Sequence, residues 1–221
     1  MSIYLALDTA TDSPSLALGS PHDPGADARV AGRRELSRDI DRVAAELLSR
    51  RRIGIGDLTG VIVADGPGSF TGLRIGIAFA KGLCRARGLP LLAGPSLLGA
   101  ALTACGGEGT VLAEYDALRG DVYRASYRFT GLAGAAAPLA SGEPTAGGVE
   151  VLAAPALVAR DAPLPAYPTL LRADGAHASA ASLIRLRGFA GGLEPIDAPD
   201  RWEPAYGRLA EAEVRRRARE R

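Results

Sequence analysis

The feature that most constrains the fold is one continuous strand, turn and helix pattern. Gly60–Ala64 is apolar and rich in β-branched residues, which is typical of a strand buried on both faces. It leads straight into the glycine-rich turn 65–72, and apolar residues then follow over 73–87 until Gly88 and Pro90 end the helix. This helix is apolar around most of its circumference, so we expect it to be buried on several sides.

The glycine-rich turn has two interpretations. Gly66, Pro67 and Gly68 make a sharp bend that a larger side chain would obstruct, which favours a structural turn. A helix start with outward N–H groups also binds anions, but the spacing G-x-G-x-x-x-G is neither a dinucleotide nor a Walker pattern and lacks the phosphate-loop lysine. The acidic turn 8–12, after the first predicted strand, is likewise either a capped turn or a holder of metal-bound phosphate. The candidate phosphate contacts are Asp8, Thr9, Thr11, Gly66, Gly68, Ser69 and Thr71.

Small residues form a row along the helix 73–87 and its first turn. Gly72, Gly76 and Ala80 are four positions apart, so they let another helix approach closely. Two partners are equally compatible with this row: the predicted helix 39–52 of the same chain, or a second protein.

Charge and cysteine content exclude several classes of protein. The formal net charge is +1, so no global field draws the chain to nucleic acid or membrane. Two cysteines make neither a disulfide framework nor a zinc site, and we expect reduced thiols in a cytosolic protein. The two histidines, His22 and His177, lie far apart, so a histidine-based metal centre is not expected.

The chain shows no sign of membrane insertion or export. The uncharged stretch 88–107 is long enough to span a bilayer, but Pro90, Pro95 and several glycines predict a strand, a turn and a helix start. The N-terminus reaches Asp8 without a basic region, so it does not resemble a signal peptide.

The remaining pattern predicts a two-part organisation. A hairpin at 3–18 precedes a third strand at 29–36, and the glycine-rich stretch 105–109 is a candidate hinge before a hairpin at 110–129. We predict an N-terminal lobe at 1–105, a smaller lobe at 106–200 and a basic tail at 201–221, which is either solvated or a docking site for RNA phosphate or a partner. Further predicted elements are a strand at 91–93 and helices at 96–104, 176–187 and 211–219, with little pattern in 131–170.

Four segments together resemble one protein family. The run 65–76 reads D-G-P-G-S-F-T-G-L-R-I-G, and 5–11, 116–123 and 204–208 match further family segments in the same order. The chain is therefore similar to the bacterial TsaB (YeaZ) family, which takes part in making N6-threonylcarbamoyladenosine at position 37 of tRNA.

The resemblance implies a fold and a role. The fold would be α/β, with the two lobes of the actin-like ATPase, Hsp70 and sugar kinase superfamily, mixed sheets flanked by helices and a reduced second lobe. The chain would be a non-catalytic scaffold and activator that pairs with the catalytic subunit TsaD, is joined by TsaE and meets tRNA only through the complex. It would be cytoplasmic and would hold no metal and no tightly bound cofactor. ATP or ADP would be a candidate ligand at the partner interface, and a homodimer an alternative assembly without TsaD. The alternative function is a stand-alone small ATPase or kinase of the same superfamily.

The family pairs through its first two helices, which correspond here to 39–52 and 73–87. Family members commonly have a histidine where the first helix starts, and Asp39 takes that place here, so pairing could be specific to the partner of the same organism. The residues that the resemblance assigns to the partner interface are Val43, Leu47, Gly72, Leu73, Gly76, Ile77 and Ala80.

Overall fold

The computed structural model describes residues 2–117, 120–131, 147–167 and 169–206. Its strands are β1 (Tyr4–Asp8), β2 (Ser15–Gly19), β3 (Ala28–Arg29), β4 (Gly60–Ala64), β5 (Leu91–Gly94), β6 (Gly109–Asp116), β7 (Asp121–Thr130), β8 (Gly147–Ala159), β9 (Leu171–Ala173), β10 (Phe189–Ala190) and β11 (Glu194–Pro195). Its α-helices are α1 (Arg33–Arg51), α2 (Phe70–Arg87), α3 (Ser96–Cys105) and α4 (Ala180–Leu186), and two short 3-10 helices cover Ile55–Asp57 and Gly175–His177.

The strands form two mixed sheets. The first has six strands in the order β11-β5-β4-β1-β2-β3, with β1, β4 and β5 parallel and β2, β3 and β11 antiparallel to their neighbours. The second has five strands in the order β10-β8-β7-β6-β9. Every residue of β1, β2 and β4 is buried, as the apolar run of β4 predicts. The predicted mixed α/β architecture is confirmed.

Helices cover the sheets in layers. Helices α1 and α2 pack on one face of the first sheet, against β2 and β4 respectively, and α4 packs on the other face, against β1 and β2. Helix α3 contacts both α4 and the second sheet, so these two helices lie between the sheets. None of the helices in the described part of the chain is both long and apolar enough to cross a membrane.

Three predicted elements need correction or lie outside the described residues. The third strand ends at Arg29 and α1 begins at Arg33, so the prediction of a strand over 29–36 and a helix from 39 was wrong. Residues 176–187 divide into the end of a 3-10 turn and α4, because Ser179 is in extended conformation and caps α4 by accepting a hydrogen bond from the Ser182 N–H. The predicted helix 211–219 lies outside the described residues.

The division into lobes at residue 105 stays a prediction. Two elements from the later part of the chain join the first sheet: β11 pairs with β5, and α4 packs on β1. The last described segment, residues 196–206, then runs along α2 and is called the C-terminal strap below.

Candidate functional site

The glycine-rich turn leaves β4 and enters α2 through close backbone contacts. Gly66 has φ +114, which is in the region that favours glycine, and a Cβ there would meet the carbonyl of Ala205 in the C-terminal strap. Ser96 fixes the turn from the other side, because its hydroxyl accepts a hydrogen bond from the Gly66 N–H (3.2 Å) and its N–H donates to the Gly66 carbonyl (2.9 Å). The turn is therefore held between α3 and the strap.

The small-residue row at the start of α2 fits the loop between β1 and β2. A Cβ at Gly72 would lie closer than 3.0 Å to the backbone oxygen of Thr9, and a Cβ at Gly76 would overlap the Thr9 side chain. A Cβ at Gly68 would likewise overlap Ala10. Glycine is needed here because another backbone approaches, and that backbone is the β1–β2 loop, not another helix.

The two turns that hold the predicted phosphate contacts are brought together, and several of their N–H groups bond within the chain. The Ser69 N–H donates to the Ala10 carbonyl (2.7 Å), and the Gly72 N–H donates to the Ser69 hydroxyl, which caps α2 (3.2 Å). The Ala10 N–H donates to Asp8 (3.1 Å). These donors are thus already paired inside the chain.

The two remaining threonines of the predicted set lie at the edges of this contact. Thr11 accepts a hydrogen bond from the Ser13 N–H (3.3 Å), and its methyl group faces Gly175 of the 3-10 turn. Thr71 is exposed in the first turn of α2. Phosphate binding by the predicted set stays a prediction, in which only Thr71 presents an exposed side chain.

One buried and one half-buried carboxylate, Asp8 and Asp65, lie where neighbouring parallel strands end. Asp8 closes β1 and is 1% exposed, and burial raises its pKa to about 6. Asp65 follows β4, and burial raises its pKa to about 6 as well. One oxygen of Asp8, Oδ2, has no hydrogen-bond partner among the described residues. Sequence reasoning singled out Asp8 but passed over Asp65, although its place directly after a buried strand was a usable signal.

Two buried tyrosines of the second sheet respond to the charges of these carboxylates. The Tyr115 hydroxyl donates to the Ser96 carbonyl (3.0 Å), and burial together with the Asp8 charge raises the Tyr115 pKa. Burial together with the Asp65 charge raises the Tyr127 pKa. The charges of two carboxylates in the first sheet region thus act on tyrosines of the second sheet, which no local pattern in the sequence predicts.

The residues assigned to a partner interface are mostly core residues. Leu73 and Ala80 are 0% exposed and Ile77 is 5% exposed, and all three belong to the hydrophobic core of this chain. Gly72, Gly76 and Val43 are buried too, and only Leu47 is half-buried. In the isolated chain the buried residues of this set face the first sheet, the β1–β2 loop and the neighbouring helix, and their assignment to a partner interface stays a prediction. The prediction that the two helices form the partner surface stays a prediction.

Helix α2 has one face that the described residues leave open. It is formed by small or apolar residues at helical spacing, and a Cβ at Gly82 would have nothing within 4 Å. The residues of this open face are Thr71, Ile75, Ala78, Gly82 and Ala86, of which Ile75 is half-buried and the others are exposed.

The C-terminal strap lies along one side of this open face. Tyr206 packs on Phe70, with ring centroids 4.7 Å apart, and the Lys81 ammonium donates to the Trp202 carbonyl (2.6 Å). Sequence reasoning noted the segment 204–208 as a family motif without predicting its contact with α2.

Asp39 does not start α1. It lies in the second turn, pairs with Arg38 (3.2 Å) and Arg42 (3.7 Å), and the hydrogen bond from Arg38 lowers its pKa. The prediction that it replaces a residue at the helix start was thus wrong in position, because α1 begins at Arg33, six residues before Asp39.

Comparison with known proteins decides the family. A family model described as TsaD, tRNA N6-adenosine threonylcarbamoyltransferase, matches residues 30–141, which is half of the chain. The chain belongs to this family. It is 36% identical over 126 residues to the tRNA threonylcarbamoyladenosine biosynthesis protein TsaB of Escherichia coli, covering 56% of this chain and 54% of that protein.

Two further relatives agree with this family. The tRNA N6-adenosine threonylcarbamoyltransferase of Caulobacter vibrioides is 45% identical over 65 residues, or 29% of this chain and 18% of that protein. The structure of YeaZ from Pseudomonas aeruginosa superposes with a TM-score of 0.67 at 23% identity, covering 85% of this chain and 91% of that chain, which shows a shared fold. The chain thus matches only about half, or less, of the length of these curated relatives. The resemblance to TsaB and the two-sheet fold that it implies are confirmed.

Proposed function

We propose that this chain is the non-catalytic scaffold and activator of the complex that installs N6-threonylcarbamoyl on adenosine 37 of tRNA, and that it pairs with TsaD. Membership of the TsaD family and similarity to TsaB support the pathway. The observation that carries the non-catalytic role is the closed turn, whose N–H groups at Ser69 and Gly72 bond within the chain.

We expect no tight nucleotide binding at this turn in the isolated chain. Phosphate binding by a glycine-rich turn needs main-chain N–H groups that point at the ligand. Here the Ser69 N–H donates to the Ala10 carbonyl of the β1–β2 loop, and the Gly72 N–H donates to the Ser69 hydroxyl, so these two donors are already engaged within the chain. ATP or ADP in the complex would therefore be bound at the boundary with TsaD, with most contacts from TsaD, and not by this chain alone.

The open face of α2 is the proposed TsaD surface. Ala78 and Gly82 are exposed and small, so a partner helix can approach the backbone of α2. Ile75 adds apolar area at the same face, and α1, which packs beside α2, exposes Ala45. A partner that covers this face would bury apolar atoms that water contacts in the isolated chain.

The proposal is tested by mixing the purified chain with the TsaD protein of the same organism. We expect the two to co-elute on gel filtration, and threonylcarbamoyl transfer to tRNA to require both. If the two proteins do not co-elute and transfer is not stimulated, with TsaE and ATP present, the proposal is refuted.

A matched pair of variants tests the surface. Gly82→Leu places a side chain in the middle of the open face and should weaken co-elution, while Ala153→Leu, at an exposed position of β8 in the second sheet, should leave it unchanged. If both variants bind TsaD equally well, the interface does not include the open face of α2.

The competing function is a stand-alone ATPase or kinase. Calorimetry of the isolated chain with Mg-ATP separates the two functions, and we expect no tight binding. Under our proposal TsaE joins the TsaD pair, tRNA is met through the complex, the complex acts in the cytoplasm, and the chain without TsaD can self-associate through the same open face.

A further inference from the structure

Helix α2 carries four cations and no carboxylate: Arg74, Lys81, Arg85 and Arg87. Two of them contact the C-terminal strap. The Lys81 ammonium donates to the Trp202 carbonyl (2.6 Å), and a guanidinium nitrogen of Arg85 lies 3.7 Å from an Asp200 oxygen. Arg74 is exposed, and within residues 2–117, 120–131, 147–167 and 169–206 it has neither a hydrogen bond nor an ion pair.

Arg74 is nevertheless held in place by two aromatic rings. Its guanidinium carbon lies 4.1 Å from the centroid of Phe70 and 5.8 Å from that of Tyr206, and the two rings pack on each other. Stacking uses the face of the guanidinium and leaves the N–H groups at its edge available. The guanidinium is therefore oriented in advance, and its N–H donors have no partner among the residues that the structure describes.

The platform is built from two parts of the chain that are distant in sequence. Phe70 and Arg74 belong to the first turns of α2, and Tyr206 arrives through the strap, which Lys81 and Trp202 fasten to the same helix. This arrangement restricts the motion of an exposed arginine, which lowers the entropy cost of a new contact.

We infer that Arg74 is a specificity contact that receives a carboxylate of a protein partner at the edge of the open face. The inference rests on the proposed function, under which this partner is the TsaD subunit, and it adds the chemistry of the contact. A planar guanidinium pairs with a carboxylate through two parallel N–H···O bonds, and a stacked guanidinium is set up for this geometry.

The surroundings favour a protein carboxylate over an RNA phosphate. Ile75 and Ala78 lie next to Arg74 on the helix surface, so the site combines an arginine, two aromatic rings and an apolar patch, as the centres of protein interfaces do. Binding to RNA depends on several cations that act together, whereas the strap already engages Lys81 and Arg85, and the chain has a net charge of only +1.

The test compares dissociation constants of variants with the TsaD protein of the same organism, measured by calorimetry at low and at high salt. We expect Arg74→Ala to bind at least about tenfold more weakly and Arg74→Glu more weakly still, because like charges then meet. Arg74→Lys should recover only part of the affinity, since an ammonium lacks the two-pronged geometry. Arg85→Ala is the matched control on the same helix and should bind within about twofold of the wild type, because its ion pair is exposed.

A second variant and a melting curve separate recognition from folding. Phe70→Leu removes the aromatic platform but keeps the Arg74 cation. It should therefore weaken binding, while its dissociation constant should still depend on salt more strongly than that of Arg74→Ala. All variants should melt within a few degrees of the wild type. Wild-type affinity in a folded Arg74→Ala variant would overturn the inference while leaving the proposed function intact. If Arg74→Ala keeps its affinity for TsaD but its complex retains tRNA more weakly, the inference is overturned in favour of an RNA phosphate contact. Failure of the wild type to bind TsaD would refute both the inference and the proposed function.

Discussion

Two glycines on α2 should respond to the same substitution with opposite signs. Gly72→Ala adds a Cβ that would lie closer than 3.0 Å to the Thr9 backbone oxygen, so the β1–β2 loop or the helix must shift. Overpacking of this kind costs roughly 1–3 kcal/mol, and the gain of about 1 kcal/mol in helix propensity offsets only part of it. Gly82→Ala gains the same propensity, but its Cβ has nothing within 4 Å.

The measurement is thermal unfolding of the two variants beside the wild type. For a chain of 221 residues, 1 kcal/mol corresponds to roughly 2–4 °C in Tm, so Gly82→Ala should melt about 2–4 °C higher and Gly72→Ala lower. Because both substitutions are glycine to alanine in one helix, their difference isolates the contact with Thr9. An equal rise in Tm for both variants would refute the close approach of the loop, and with it the closed turn.

Two further perturbations test the buried carboxylate and the strap. Because burial raises the Asp8 pKa from 3.8 to about 6, ionisation of Asp8 removes roughly 3 kcal/mol of stability as the pH rises through that interval. Asp8→Asn stays neutral, so the Tm of the variant should rise relative to that of the wild type between about pH 4 and pH 6. A constant Tm difference across this range would contradict a buried carboxyl that ionises there. Lys81→Met removes the ammonium that binds the Trp202 carbonyl, a loss of roughly 1–3 kcal/mol, and should speed proteolysis of the strap. Arg85→Met is its control, since both partners of that ion pair are exposed, and equal cleavage rates for the two variants would show that Lys81 does not hold the strap.

Sequence reasoning succeeded where the signal was local. The strand Gly60–Ala64 and the end of α2 at Arg87 agree with the predictions, because an apolar β-branched run and a terminal glycine act on their own neighbours. It failed at the start of α1, since Arg33 to Ser37 are mostly polar and their helical conformation is an extension of the amphipathic segment behind them.

The candidate site was predicted in its composition but not in its contacts. The small-residue row that includes Gly72 and Gly76 predicts that a neighbour comes close, and its helical spacing suggested a second helix. The structure shows the β1–β2 loop there instead, because the antiparallel pairing of β1 with β2 beside β4 brings the loop to the helix start. A glycine in a helix indicates that another part of the chain comes close, but it does not indicate which part.

The sequence by itself determined the buried strand, the tight turn, the apolar helix and, through its motifs, the family. Only the tertiary structure decided that Leu73 and Ile77 face the core of this chain, and that Tyr206 returns to stack with Phe70 beside Arg74. The physical reason is that periodicity shows which face of a helix or strand is apolar. Which element covers that face depends on how parts of the chain that are distant in sequence pack together. For α2 that packing leaves one narrow open face, and the open face is where we expect a partner to bind.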